Sequence, residues 1–258
     1  MRRALVTGAG RRLGRAMAEW LGAQGWDVAL HYAGSAEGAE AAAATVRAGG
    51  RQAVSLQADL LDDDQAAALI PRAVEALGGP LTLLINNASI FEPDSIETAT
   101  RTSWDRHFGS NLRAPFVLTQ TFAAQTPAPD MADGEPRAQA QIVNMIDQRV
   151  WRPGPDFMTY TLAKSALWTL TRTAAQGLAP RIRVNAIGPG PTLQGDRQTA
   201  ADFAAQRAAT PLGRGASPAE ICAALAYLLA APAVTGQMIA VDGGQHLAWE
   251  TPDRALPE

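Results

Sequence analysis

The chain reads as an α/β protein, a doubly wound parallel sheet of about seven strands with helices on both faces. Three observations predict it. Short apolar runs alternate with helix-patterned segments along almost the whole length. Most of those runs are continuous rather than alternating, as parallel strands covered on both faces require. A glycine-rich turn joins the first run to the first helix. The expected strands are 4–7, 28–32, 53–58, 81–86, 141–145, 183–186 and 237–241. The expected helices are 12–24, 36–48, 62–77, 98–124, 156–178 and 217–230.

Each helix carries its own signals. Asp62, Asp63 and Asp64 open the third, where the helix dipole favours negative charge. Ser217-Pro218-Ala219-Glu220 gives the last an N-cap serine, proline at the first position and glutamate at the third. The Ala-rich stretch 36–48 reads as helix rather than disorder. Two irregular stretches remain. Residues 126–140, rich in Pro, Ala and polar groups, read as a surface excursion. Residues 191–198 follow a strand end and read as a mobile substrate lid. No linker or internal repeat divides the chain, so residues 1–258 are expected to form one catalytic domain, with 250–258 a tail.

Composition narrows the function. The 258 residues are 47% hydrophobic and 18% charged, ordinary for a packed globule. A net charge of -3 gives no basic excess for nucleic acid or an anionic membrane. One cysteine, Cys222, and three scattered histidines rule out a disulfide framework and make a metal site unexpected. Ala4-Leu5-Val6 is too short for a signal-peptide core. Pro232, Thr235, Gly236 and Gln237 interrupt the uncharged stretch 221–241, so it divides into a helix and a strand rather than spanning a membrane. A soluble cytoplasmic protein is the expectation.

The turn Thr7-Gly8-Ala9-Gly10-Arg11-Arg12-Leu13-Gly14 lies where backbone N–H groups and a helix N-terminus can meet a pyrophosphate. The second strand ends Leu30-His31-Tyr32-Ala33-Gly34-Ser35, without the carboxylate that would receive the ribose 2′-OH of NAD. His31, Ser35 and Arg12 are expected to donate to a 2′-phosphate, which selects NADP. Tyr160 and Lys164, at i and i+4, share a helix face. A nearby ammonium is expected to lower the phenol pKa from its usual ~10 and make it a proton donor. Lys164 is the one lysine among 22 basic residues, so its position beside this tyrosine is informative.

These pieces, together with Asp59-Leu60, Asn86-Asn87-Ala88, Asn111, Gly188-Pro189-Gly190 and Val241-Asp242-Gly243-Gly244, resemble the short-chain dehydrogenase/reductase family over residues 4–245. The resemblance implies a Rossmann-type sheet, NAD(P)-dependent hydride transfer and a homotetramer. It implies that Gly8, Arg11, Arg12, Leu13, Gly14, Tyr32 and Ser35 hold the cofactor. Asp59 and Leu60 would lie at the adenine, Asn86 and Ala88 at its ribose, and Pro189, Gly190 and Thr192 at the nicotinamide end. Tyr160 would be the proton donor, Lys164 would bind the nicotinamide ribose, and Asn111 would help hold a relay water.

Two departures point further. Arg12 replaces the middle glycine of the turn, and Asp147 stands where the family has its catalytic serine. An ionised carboxylate there would repel the alkoxide of a ketone reduction. Both departures resemble the pteridine reductases of the family, as do His31-Tyr32, Ser35 and Asn86-Asn87-Ala88-Ser89 followed by Phe91. That resemblance implies that Phe91 stacks on a pterin, that Ser89 and Arg12 contact pterin or phosphate, and that Asp147 joins Tyr160 in protonating ring nitrogens. Gly34 departs from it, since an arginine is expected there to grip the 2′-phosphate. The competing readings are reduction of a ketone or imine on another small molecule, and a non-catalytic NADP-binding sensor or scaffold. His107 and His246 read as structural or surface residues, and Trp151 as a wall of the pocket or a structural residue.

Overall fold

The computed structural model describes residues 2–247, so the expected tail 250–258 lies outside the described residues. Seven strands form one parallel sheet: β1 (Arg3–Val6), β2 (Asp27–Tyr32), β3 (Ala53–Gln57), β4 (Leu83–Asn86), β7 (Ala140–Met145), β8 (Ile182–Pro189) and β9 (Met238–Val241). Their order is β3-β2-β1-β4-β7-β8-β9. The order reverses between β1 and β4, and ligands of such sheets bind outside the carboxyl ends of the strands at that point. Every expected strand is present. Arg183–Ala186 is the most extended, because backbone pairing with β7 continues through Ile187.

Helices cover both faces. On one side α1 (Arg12–Ala23), α2 (Ala36–Ala48) and α8 (Pro218–Ala230) pack on Val6, Leu30 and Ile85. On the other α3 (Asp63–Ala76), α5 (Ala114–Gln125) and α6 (Met158–Leu178) pack on Leu5, Leu84 and Val184. The caps act as the sequence anticipates. The Asp62 carboxylate accepts from the N–H groups of Asp64 and Gln65. Ser217 and Glu220 close a reciprocal capping box.

The expected helix 98–124 is three pieces: α4 (Arg101–Phe108), a π-helical turn (Gly109–Arg113) and α5. One extra residue per turn there swings Asn111 inward, where it is fully buried. The surface excursion contains an exposed hairpin, β5 (Asp130–Ala132) and β6 (Glu135–Arg137). Asp133 and Gly134 form its turn at φ 56° and 79°, values an Asp-Gly pair accommodates. A further helix, α7 (Ala200–Ala208), has no counterpart among the expected segments, and a Thr199–Asp202 capping box starts it. Among the described residues no helix is long and apolar enough to cross a membrane.

Candidate active site

A cleft of about 1140 Å³ runs along the carboxyl ends of the strands, from the glycine turn to Tyr160. A single-ligand pocket is commonly ~300–1,000 Å³, so this cleft has room for a cofactor and a second molecule. At one end the turn is packed to its limit. A Cβ on Gly14 would sit 2.2 Å from the Gly8 carbonyl oxygen, and one on Gly10 2.7 Å from that of Ser35. The first turn of α1 has neither a side-chain cap nor an acidic residue. Its N–H groups are therefore available to an anion. The N-terminus of α2 faces the same end, and Ser35, its N-cap, makes no capping hydrogen bond. Two uncapped helix starts, one per phosphate position, fit NADP.

Of the expected cofactor residues, Gly8, Arg11, Arg12, Leu13, Gly14, His31, Tyr32, Ser35, Asp59, Leu60, Ala88, Ser89, Pro189, Gly190 and Thr192 line this cleft. Two of them act differently from expectation. His31 is almost fully buried; its Nδ1 accepts from the Gly8 N–H at 3.1 Å, so Nε2 carries the proton and donates to Ala58 O at 3.1 Å. Both ring nitrogens are occupied, and burial lowers its pKa to about 4, so His31 is a neutral prop beneath the turn and not a donor to a 2′-phosphate. Arg12, at φ 53°, reaches across the cleft to the carbonyls of Gln194 (2.6 Å) and Leu193 (3.0 Å). The stretch 191–198 is thus tethered rather than a free lid. Arg197 ties it again, donating to Phe91 O at 2.7 Å.

Asn86 and Asn111 do not line the cleft. Asn86 donates to Asn144 Oδ1 at 2.8 Å, and Asn144 donates to Thr171 at 2.9 Å, a buried chain tying β4, β7 and α6. Its side chain is buried and its amide N–H is spent on that chain. Asn111 spends both ends of its amide on Ile90, accepting from its N–H at 2.9 Å and donating to its carbonyl at 2.8 Å. It thereby fixes the loop that carries Ser89 and Phe91.

At the other end, β7 and α6 bring Asp147, Tyr160 and Lys164 together. The Tyr160 hydroxyl donates to Asp147 Oδ2 at 2.9 Å, and the Arg149 N–H to Oδ1 at 2.8 Å. Burial pulls the Asp147 carboxyl above the usual carboxylate range, toward its neutral acid form. The Tyr160 phenol does not become more acidic, as the sequence suggested. Burial first, and then the Asp147 carboxylate, push it well above its ordinary value. The Lys164 ammonium cannot offset this because it does not reach the phenol oxygen. It donates to Met145 O at 2.8 Å and lies 5.7 Å from the ring centroid of Tyr160. Burial lowers its pKa to about 8.

Phe91 meets Tyr160 edge to face, with ring centroids 4.7 Å apart. Its own face stacks on Phe157 at 4.2 Å, with the planes 10° apart. Sequence reasoning missed Phe157, which precedes α6 in the left-handed region at φ 55°. It also missed Arg149 and Arg197; no local pattern marks any of the three. His107 proves structural: Glu92 N–H donates to its Nε2 at 3.1 Å, and its Nδ1 meets Thr159 at 2.6 Å. His246 pairs with Asp242, and Trp151 packs edge-on against His246 without lining the cleft.

A parallel sheet whose first turn fits a dinucleotide, with a tyrosine and lysine at the far end of the same cleft, defines a nicotinamide-dependent oxidoreductase. The comparisons agree. A family model described as Enoyl-(Acyl carrier protein) reductase matches residues 8–246. FolM alternative dihydrofolate reductase 1 from Brucella suis, solved in complex with NADP, superposes with a TM-score of 0.90 at 44% identity, covering 98% of each chain. Pteridine reductase 1 of Leishmania tarentolae is 34% identical, covering 95% of this chain and 96% of its own. The 3-oxoacyl-[acyl-carrier-protein] reductase FabG of Staphylococcus aureus is 32% identical, covering 95% and 98%. The chain belongs to the short-chain dehydrogenase/reductase family, in its pteridine reductase-like subgroup. It is an NADP-dependent oxidoreductase.

Proposed function

We propose that the protein reduces a pterin, dihydropterin or folate-like ring. The observation that carries this reading is the part-buried contact between the Tyr160 hydroxyl and the Asp147 carboxyl, with Phe91 against the same tyrosine. NADPH, when bound, supplies the hydride. Reducing a C=N bond leaves negative charge on nitrogen, which a neighbouring acid must protonate. Asp147, drawn toward its protonated form by burial, is that acid, and the Tyr160 O–H stands behind it as the next proton source. A carboxyl can also accept from a ring N–H or amino group, which a serine does less well. Phe157 covers one face of Phe91, which is still 42% exposed, so a flat heterocycle can stack there. Lys164, anchored on Met145 O and lining the cleft, would meet a ribose hydroxyl of the bound cofactor.

The FabG relatives favour a second reading, reduction of a ketone. Against it, a ketone needs neither a second acid beside Tyr160 nor an aromatic platform. NADPH oxidation with dihydrobiopterin, dihydrofolate and a panel of ketones and 3-oxoacyl thioesters separates the two. Dihydropterin or dihydrofolate is expected to lead, and Asp147→Ser to lower its kcat ~10²-fold, the usual scale of one acid-base group. Ketones as the better substrates, or Asp147→Ser without effect, overturn the reading. NADPH binding without turnover of anything supports the sensor. The homotetramer implied by the family and the cytoplasmic location belong to the same proposal; light scattering tests the first.

A further inference from the structure

The cleft mouth near Phe91 holds two guanidiniums that form no ion pair among the described residues. Five arginines line the cleft. Arg11 and Arg12 belong to the phosphate turn, and Arg106 is paired with Glu92 at 2.8 Å. Arg149 and Arg197 remain. Among the described residues neither has a carboxylate within ion-pair distance. Glu92 and Asp147, which feel the charge of Arg197 and Arg149, are hydrogen-bonded elsewhere, Glu92 to Arg106 and Asp147 to Tyr160.

Both guanidiniums border the aromatic pair. That of Arg197 lies 5.5 Å from the Phe91 centroid and 5.8 Å from that of Phe157. Near-equal distances to two stacked rings put it beside the pair and not over either face. Arg149 lies 5.2 Å from the Phe157 ring. It donates to Asp156 O at 3.0 Å, while its Nε is buried with no hydrogen-bond partner. A guanidinium has five N–H donors, and each of these side chains uses one. A substituent that leaves a ring stacked on Phe91 along this edge meets Arg197. A neutral hydroxyalkyl chain would leave the donors unmet, whereas a carboxylate would satisfy them with charge-assisted bonds.

We infer that Arg197 and Arg149 form a subsite for an anionic tail, so that the substrate is a flat heterocycle bearing a carboxylate substituent, folate-like rather than an unconjugated pterin. The inference rests on the ring-reduction reading above. It is tested by kcat/KM for 7,8-dihydrofolate against 7,8-dihydrobiopterin at saturating NADPH. The wild type is expected to favour dihydrofolate. Arg197→Gln is expected to lower the dihydrofolate-to-dihydrobiopterin ratio about tenfold, mainly through the dihydrofolate KM, the loss expected for a half-exposed charge-assisted bond. Arg197→Glu should lower it further, and high salt should shift the wild type the same way. Arg197 is exposed, so neither variant threatens the fold. Wild-type turnover of both substrates with a ratio that Arg197→Gln and Arg197→Glu leave unchanged rejects the subsite alone. Turnover of neither rejects the ring reading and the subsite with it.

Discussion

The two ends of the cleft are built from different materials. The phosphate end is backbone: a glycine turn, two uncapped helix starts, and a neutral His31 holding the turn from below. The chemical end is side chain: the buried Tyr160 and Lys164 with the half-buried Asp147, their pKa values displaced. Backbone donors keep their strength at any pH and tolerate no added atom. Buried titratable groups do the reverse: their geometry admits substitution, but their protonation governs the reaction. Binding and chemistry should therefore fail separately when each end is altered.

The largest effect expected is at the chemical end. Tyr160→Phe removes one hydroxyl and one hydrogen bond to Asp147 and leaves the ring against Phe91. Its kcat should fall ~10³-fold, within the range of a lost acid-base group, with NADPH affinity unchanged. Stopped-flow reduction beside NADPH fluorescence titration reads both. Equal losses of affinity and rate would erase the distinction between the ends.

How each end showed in the sequence follows from the same difference. The glycine turn is legible because its requirement is local: a strand, small residues at fixed offsets, then a helix. The seven strands were legible because burial on both faces leaves continuous apolar runs, as in Leu83–Asn86. Tyr160 and Lys164 were legible through their helical spacing, and Asp147 through its departure from a family pattern. Long-range contacts were not. Nothing near His31 says that its two nitrogens are taken by Gly8 and Ala58. Nothing near Phe91 says that Phe157, 66 positions on, will stack against it. The direction of the Tyr160 shift was misjudged for a related reason, since the sequence shows an ammonium one turn away but not how far burial outweighs it. The Thr199–Asp202 box and the Asp133-Gly134 turn were local signals, and both were readable.

A smaller effect should appear with pH. In the reductive direction Asp147 must carry its proton, so rate falls as pH rises through its raised pKa. Lys164 is charged below about 8 and neutral above it, which removes its charge from the ribose site over the same direction of change. We expect kcat at saturating NADPH to fall as pH rises through the raised Asp147 pKa, and the loss of the Lys164 charge above about 8 to steepen the fall. His31, neutral above about 4, adds no break in the working range. A flat profile through pH 9 would show that the buried groups do not govern the step.

The smallest effect tests the phosphate end alone. Ser35 caps α2 without a capping hydrogen bond, so Ser35→Ala should cost the helix little, and the melting temperature should hold. With His31 occupied by Gly8 and Ala58, Arg12 by Leu193 and Gln194, and Gly34 carrying no side chain, the Ser35 hydroxyl, the Arg11 side chain and the α2 N-terminus remain at this end to meet a 2′-phosphate. Losing one half-exposed charge-assisted bond is worth about 1 kcal/mol, roughly a fivefold rise in the NADPH dissociation constant. NADH has no 2′-phosphate and should bind the variant as it binds the wild type. Titrating both nucleotides isolates the contact, because any general disturbance of the turn would weaken them together. A matched loss for NADH would mark such a disturbance instead, and no loss for either nucleotide would leave the 2′-phosphate to groups other than the Ser35 hydroxyl.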